Sequence, residues 1–207
     1  MQSPKKRIWE FLLLVTWSQP VSVSKHAKAS KALGIIARTI SCKTPHVLLR
    51  LYKSLVRPHL EYCVPAWSSH YEKDMVLLER VQHRFTRMVP GLRQLTYEQR
   101  LKRLRLWTLE ERRNRADLLE VFKMYKGLSL TPFSRFFTIS NVSSTRGHTA
   151  KIVKSHCHLD IRRFFFSQRF TDRWNGLPQS VIRSNSINSF KNGLNAKRKV
   201  SMGYFKD

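Results

Sequence analysis

Apolar residues recur at three-to-four spacing through most of the chain up to position 126, and lose that period afterwards. Between Ala27 and Ile40, the positions Ala32, Ile35, Ile36 and Thr39 share a face, with Gly34 as a weak point, and this spacing predicts a helix. Thr44 followed by Pro45 predicts the next start, a hydroxyl cap before a proline at the first helical position. Val47, Leu48, Leu51, Tyr52, Leu55 and Val56 then line one side. Pro58 ends or kinks that helix, because it has no N–H to donate and its ring crowds the preceding turn. Leu60 to Ser69 reads as a connector carrying Tyr62, Pro65 and Trp67. From Lys73 to Val89 a longer helix is expected, with Leu77, Leu78, Val81, Phe85 and Met88 on one side and Arg80, His83, Arg84 and Arg87 on the other. Pro90-Gly91 stops it. Thr96 with Gln99, and Thr108 with Glu111, have the spacing of capping boxes. They open a short helix and then a long one that runs to Lys126, where Gly127 is the C-terminal stop.

About five helices with short joints over 28–126 predict an all-α bundle, buried through Leu48, Leu51, Leu55, Leu78, Val81, Phe85, Leu119 and Phe122. Beyond Gly127 the helical period disappears. Residues 128–160 mix Pro132, Gly147, Ser and Thr with short β-prone pieces such as Phe136 to Ser140. Phe164-Phe165-Phe166, Phe170 and Trp174 form an aromatic cluster that reads as core. Ser167 to Trp174 fits a helix stopped by Asn175-Gly176-Leu177-Pro178, and Ser186 caps a last helix holding Ile187, Phe190 and Leu194. The expected fold is therefore mainly α: a helical bundle over 25–127, then a mixed, less regular α+β region over 128–195. A basic tail over 196–207 starts at Lys197-Arg198-Lys199, and no internal repeat is visible.

Segment 1–24 fits none of this. Lys5, Lys6 and Arg7 before Ile8 to Trp17 have the outline of a signal peptide. Glu10 interrupts the apolar run and no small-residue cleavage site comes after it, so a buried strand, or residues out of context at a fragment's start, is the better reading. No segment reaches the roughly 18 apolar residues that a membrane span needs.

Charge changes the picture more than composition does. With 39 Lys and Arg against 13 Asp and Glu, the chain of 207 residues carries a formal charge of +26. A hydrophobic content of 42% supplies a core and excludes full disorder. An excess of this size makes a polyanion the expected partner, nucleic acid before acidic membrane. Residues 122–206 hold two acids, Asp160 and Asp172, against sixteen basic residues. The three cysteines, Cys42, Cys63 and Cys157, are odd in number and widely spaced, which reads as reduced thiols and an intracellular location, the nucleus among the compartments open to it.

Catalytic patterns are missing. Two-metal nucleotidyl transfer needs two or three converging carboxylates, and no paired-aspartate motif is present. Glu110 and Glu111 are adjacent, do not face each other, and suit the start of a helix, where the dipole favours acids. There is no Gly-rich phosphate loop and no nucleophile elbow. His156, Cys157 and His158 lack a second ligand pair for zinc and read as polar loop residues. No catalytic residue, metal or cofactor is expected.

The arginines carry the signal instead. Arg80, Arg84 and Arg87 lie at i, i+4 and i+7 on one helix face; Arg100, Lys102, Arg103 and Arg105 crowd the next helix. Arg112, Arg113 and Arg115 oppose the dipole at the start of the long one, so local helix stability does not explain them. Arg162, Arg163, Arg169 and Arg173 interleave with the aromatic cluster. A solvated face is the plain alternative for any one of them, but acids to pair with the set are too few. Arginine also meets phosphate in a bidentate geometry. Arg80, Arg84, Arg87, Arg100, Lys102, Arg103, Arg105, Arg112, Arg113, Arg162, Arg163, Arg169 and Arg173 are the candidate nucleic-acid contacts.

Three runs then resemble one family: LYKSLVRPHLEYCVPAWS (51–68), the stretch from DMVLLERVQ to FKMYKG (74–127), and FFFSQRFTDRWNGLPQSVIRSNSINSFKN (164–192). In order and spacing they are similar to the region after the palm in reverse transcriptases of non-LTR, LINE-type retrotransposons, most of all jockey-like and chicken-repeat-like elements. The resemblance covers roughly 25–195. It implies the thumb and adjoining C-terminal region of an RNA-directed DNA polymerase, whose metal-binding aspartates lie in the palm, upstream of anything matched here. The implied partner is RNA or DNA, as a template–primer duplex or hybrid, together with the palm of a longer element protein. Residues 1–20 do not match well, which suggests a truncated or rearranged copy. The rival expectation is a domesticated helical interaction protein whose basic face binds a protein or an acidic membrane.

Overall fold

The computed structural model describes residues 20–140, 147–200 and 205; the signal-peptide-like run falls outside the described residues. The chain divides into two units, one up to Arg112 and one from Arg113 onward. The division falls inside a helix, whereas the change of sequence pattern comes at Gly127. Among the described residues no helix is long and apolar enough to cross a membrane.

The first unit opens with helix α1, Pro20–Thr39. Its buried row is Ser22, Ala29, Leu33 and Ile36, and Ile35 and Thr39 face outward, so the expected apolar face is rotated. The reason is that the helix starts at Pro20, and Ala29 and Leu33 continue a seven-and-four spacing that the pattern from Ala27 hides. Helix α2, Pro45–Leu51, has Pro45 at its start, but the Thr44 hydroxyl makes no cap hydrogen bond.

Helical hydrogen bonding does not stop before Pro58. A π turn, Tyr52–Val56, in which the Arg57 N–H reaches back to the Tyr52 carbonyl, leads into α3, Arg57–Glu61. The wider turn absorbs the bond that Pro58 cannot make. It also corrects the expected core: Leu48, Tyr52, Val56 and Leu60 are buried, while Leu55 turns out to 51% exposure and Leu51 is half-buried. Helix α4, Val64–Trp67, occupies the expected connector.

Helix α5, Glu72–Met88, packs against α1 and buries Leu78, Val81, Gln82, Phe85 and Thr86. The Phe85 and Tyr52 rings stack at 4.1 Å. Its two buried polar residues are satisfied. Tyr52 donates to Gln82 Oε1 at 2.7 Å, and Gln82 Nε2 donates to the Trp107 carbonyl at 2.9 Å. Thr86 accepts from Arg100 and donates to the His83 carbonyl. Helix α6, Tyr97–Leu104, begins with the Thr96–Gln99 capping box. Helix α7, Leu109–Tyr125, begins with the reciprocal Thr108–Glu111 pair. The Glu79 carboxylate adds a bond from the Leu109 N–H at 2.9 Å, so two acids sit where the α7 dipole favours them.

The second unit is built differently. The part of α7 from Arg113 contributes Phe122, fully buried and stacked on Phe190 at 4.1 Å. Leu119, expected in the bundle core, is half-buried here. Gly127, at φ +68°, closes α7: the Leu128 N–H bonds the Lys123 carbonyl at 2.8 Å. Past this stop the chain runs through short turns: a 3₁₀ turn Phe133–Arg135, α8 Asp160–Arg163, α9 Phe166–Arg169, α10 Thr171–Asn175 and α11 Gln179–Ile182. The helix expected over Ser167 to Trp174 is thus two pieces that meet at Phe170. A longer α12, Ile187–Val200, starts with the Ser189 N–H bonded to the Ser186 hydroxyl. Lys197 to Lys199 are helical, so the expected tail begins inside an element.

The expected strands reduce, among the described residues, to one antiparallel bridge between Ile139 and Ile152. The Asn175 side chain closes the outer edge of this bridge, on the side away from Ile139. It donates to the Ile152 carbonyl at 2.9 Å and accepts from the Ile152 N–H at 2.8 Å, occupying the groups a further strand would need. Trp174 completes this clasp through Nε1 to the Ala150 carbonyl at 2.8 Å. His148, buried, accepts from the Ala150 N–H and bonds the Trp174 carbonyl, which fixes its neutral tautomer; burial, chiefly, holds its pKa below the ordinary value. Around the clasp Phe137, Phe166, Phe170, Trp174 and Phe190 are all buried.

Candidate nucleic-acid interface

Because α5 buries the side that carries Leu78, Val81 and Phe85, the arginines at i, i+4 and i+7 on its other side turn to solvent. Arg80, Arg84 and Arg87 are all exposed, and among the described residues none of their side chains makes a hydrogen bond or an ion pair. The helix stops at Met88, and Gly91, at φ +75°, turns the chain back. Leu92 is buried beyond the turn and anchors it. The turn brings Arg93, exposed, to the same groove as the ridge. This groove has a volume of about 690 Å³, and Arg80, Arg84, Arg87 and Arg93 line it. Its one acid, Glu79, already accepts from the Leu109 N–H and from the Tyr97 hydroxyl.

A second groove of about 450 Å³ shares His83, Arg87 and Arg93 with the first and adds Tyr97. The capping box fixes Tyr97 at the first position of α6, and from there its ring stacks on His83, 3.4 Å between centroids and 18° between planes. Burial first, then the Arg100 and Arg87 charges, hold the His83 pKa below its ordinary value, so the imidazole is neutral at pH 7. Burial, with the Glu79 carboxylate beside it, likewise pushes the Tyr97 hydroxyl up and keeps it protonated. The two grooves therefore combine uncharged aromatic surface with four exposed guanidinium groups.

The remaining candidates separate into two kinds. Lys102, Arg103 and Arg105 are exposed on or just after α6, and Arg105 takes the left-handed conformation that closes this helix, at φ 51°. Arg162 and Arg163 are exposed in the second unit. The others are engaged by the fold. Arg100 is only 3% exposed and donates to Thr86 Oγ1 at 3.0 Å and to the Leu95 carbonyl at 2.9 Å. Arg112 pairs with Glu61, Nη2 to Oε2 at 2.8 Å. Arg113 is buried. Arg169 forms a two-pronged pair with the buried Asp117, and Arg173 is half-buried with a bond to the Arg169 carbonyl. Arg100, Arg112 and Arg169 thus hold the fold, because a desolvated guanidinium needs internal acceptors.

His156 and His158 do come together, at 4.6 Å between ring centroids, but among the described residues no group of three or more His, Cys, Asp or Glu could hold a metal ion. Arg93 and Tyr97 were the residues that spacing did not reveal. Their signal lay in Gly91 and Thr96, which set the turn and the helix start, and not in any motif of their own. No protein-family model, curated protein or solved structure matches the chain.

Proposed function

We propose that this chain binds nucleic acid, as the thumb and following region of a non-LTR, LINE-type reverse transcriptase does, and that it carries no polymerase activity by itself. One observation carries the reading: the basic groove over α5, in which Arg80, Arg84, Arg87 and Arg93 stand exposed and its one acid is spent on the α7 N-terminus. A helix that exposes guanidinium groups on one ridge suits a phosphate backbone, and phosphate contacts position a duplex without reading its sequence. The three sequence runs point the same way. The palm aspartates belong to a part of such polymerases that nothing in this chain resembles, so binding without catalysis is the expected behaviour.

Replacing Arg80, Arg84 and Arg87 together with Gln tests this. Gln is a good helix former, so α5 persists. Each phosphate contact contributes a log–log salt slope of about −0.9 on B-form duplex, so the triple variant flattens the slope by about 2.7 and weakens all sequences alike. Anisotropy titrations across salt measure it. An unchanged slope in the triple variant refutes the ridge as the binding surface.

A further inference from the structure

We propose that the His83–Tyr97 stack is a docking platform for one unpaired nucleobase at a single-stranded end, with the flanking phosphates held by Arg80 and Arg87. The proposal rests on the nucleic-acid reading above and adds what the ridge alone does not need.

The geometry carries it. His83 lines both grooves, whereas Tyr97 lines only the second. His83 thus borders the 690 Å³ groove without the tyrosine, and a planar ring entering that groove against the imidazole would extend a stack that already exists. Along α5, Arg80 is three residues before His83 and Arg87 four residues after it. Residues at these separations are neighbours on a helix face. A guanidinium thus stands one turn before the imidazole and another one turn after it, the arrangement that a base between two phosphates requires. The ring is built in, not merely present: its partner Tyr97 is fixed by the α6 capping box and by the Glu79 and Gln82 side chains. A paired base inside a duplex presents only its edges to a groove, so the platform selects a base that has left the stack. Base-on-aromatic stacking tolerates any base, because every base has a π-face.

The test uses the full chain and three DNA ligands: a blunt duplex, the same duplex with a four-nucleotide overhang, and one whose overhang is abasic. The two overhangs carry equal phosphate, so a difference between them reports the bases alone. The natural overhang should bind about tenfold more tightly than the abasic one. A 2-aminopurine in the overhang should be quenched on binding. His83→Ala should erase both effects and leave the abasic affinity and its salt slope unchanged. His83→Phe, which restores a flat ring, should keep them. Equal affinity for the two overhangs in the native chain, or a full preference surviving in His83→Ala, overturns the proposal while the phosphate-binding reading stands. Failure of the native chain to bind the blunt duplex at low salt overturns both.

Discussion

The two units reach a buried core by opposite routes. In the first, long helices of 20 and 17 residues meet face to face, and burial repeats along each of them at helical spacing. In the second, the turns of 4 or 5 residues between α7 and α12 have no face long enough to repeat, and a set of aromatic rings holds them from inside. The Trp174–Asn175 clasp on Ala150 and Ile152 does there what a ladder or a helix does elsewhere, by spending side-chain groups on backbone partners. Charge does not follow this division: Arg100 and Arg112 are engaged by the fold in the first unit, and Arg162 and Arg163 are exposed in the second. The first unit leaves the α5 arginines free to face solvent, and the second places Arg169 between its elements to neutralise buried Asp117. A long helix with one face buried can turn a whole ridge of guanidinium groups to solvent, whereas a guanidinium placed between elements, in either unit, goes to internal acceptors.

The largest expected effect sharpens this contrast. Trp174 and Phe85 are both fully buried, and replacing either with Ala should cost about 3–5 kcal/mol. Their consequences should differ. In Trp174→Ala the Ala150 carbonyl loses its donor and the bracing of Ile152 loosens, so amide exchange around Ile152 should become fast well below the global unfolding midpoint. In Phe85→Ala the i→i−4 bonds of α5 do not involve the ring, and exchange along Glu72–Met88 should keep its helical pattern. Hydrogen exchange read by mass spectrometry separates the two, and equal local loss in both variants would break the distinction.

The same contrast governs how much was legible in the sequence. Where burial repeats, the residues announced the element: Leu78, Val81 and Phe85 gave the face of α5, and Thr96 with Gln99 gave the start of α6. Where it does not repeat, the cause lay in partners distant along the chain. Nothing near Ile152 says that Asn175 will take both its backbone groups and close that edge to a further strand. Leu55 failed for a nearer reason, since the consequence of Pro58 was a π turn upstream of it and not a break. At the candidate site the ridge was legible because helix spacing alone sets it. Arg100 and Arg169 were misplaced because a charge count cannot tell a guanidinium that meets solvent from one that meets Thr86 or Asp117.

That last difference is itself testable, with the next largest effect. Asp117 has a side chain only 1% exposed, and Arg169 bonds it through Nε at 2.7 Å and Nη2 at 2.9 Å. Removing one member of a buried pair leaves the other charge without compensation, so Arg169→Ala should cost about 3 kcal/mol in urea unfolding. The pair Lys154–Asp172, whose side chains are 54% and 74% exposed, is the control. Lys154→Ala should change stability by less than about 1 kcal/mol. A small loss in Arg169→Ala would return Arg169 to the set of residues available for a partner.

The smallest effect concerns two glycines that lie inside helices, one in each unit. Gly34 in α1 has open space where a Cβ would stand, with no atom within 4 Å. Gly193 in α12 has the Val181 methyl carbons at 2.9 and 3.0 Å from that position. By helix propensity alone both should gain from alanine, because glycine gives up more backbone freedom on folding. Gly34→Ala should accordingly stabilise by about 0.5–1 kcal/mol. Val181 is buried and branched at Cβ, so it has no flexible end to swing aside, and α12 must instead move off α11. For Gly193→Ala that overpacking should cancel the propensity gain and add a net loss of about 1 kcal/mol. Thermal melts of the two single variants give the signs directly. Opposite signs mean that the second unit is packed to the backbone at this contact where the first leaves its helix room; stabilisation by both would show that α11 and α12 can separate without cost.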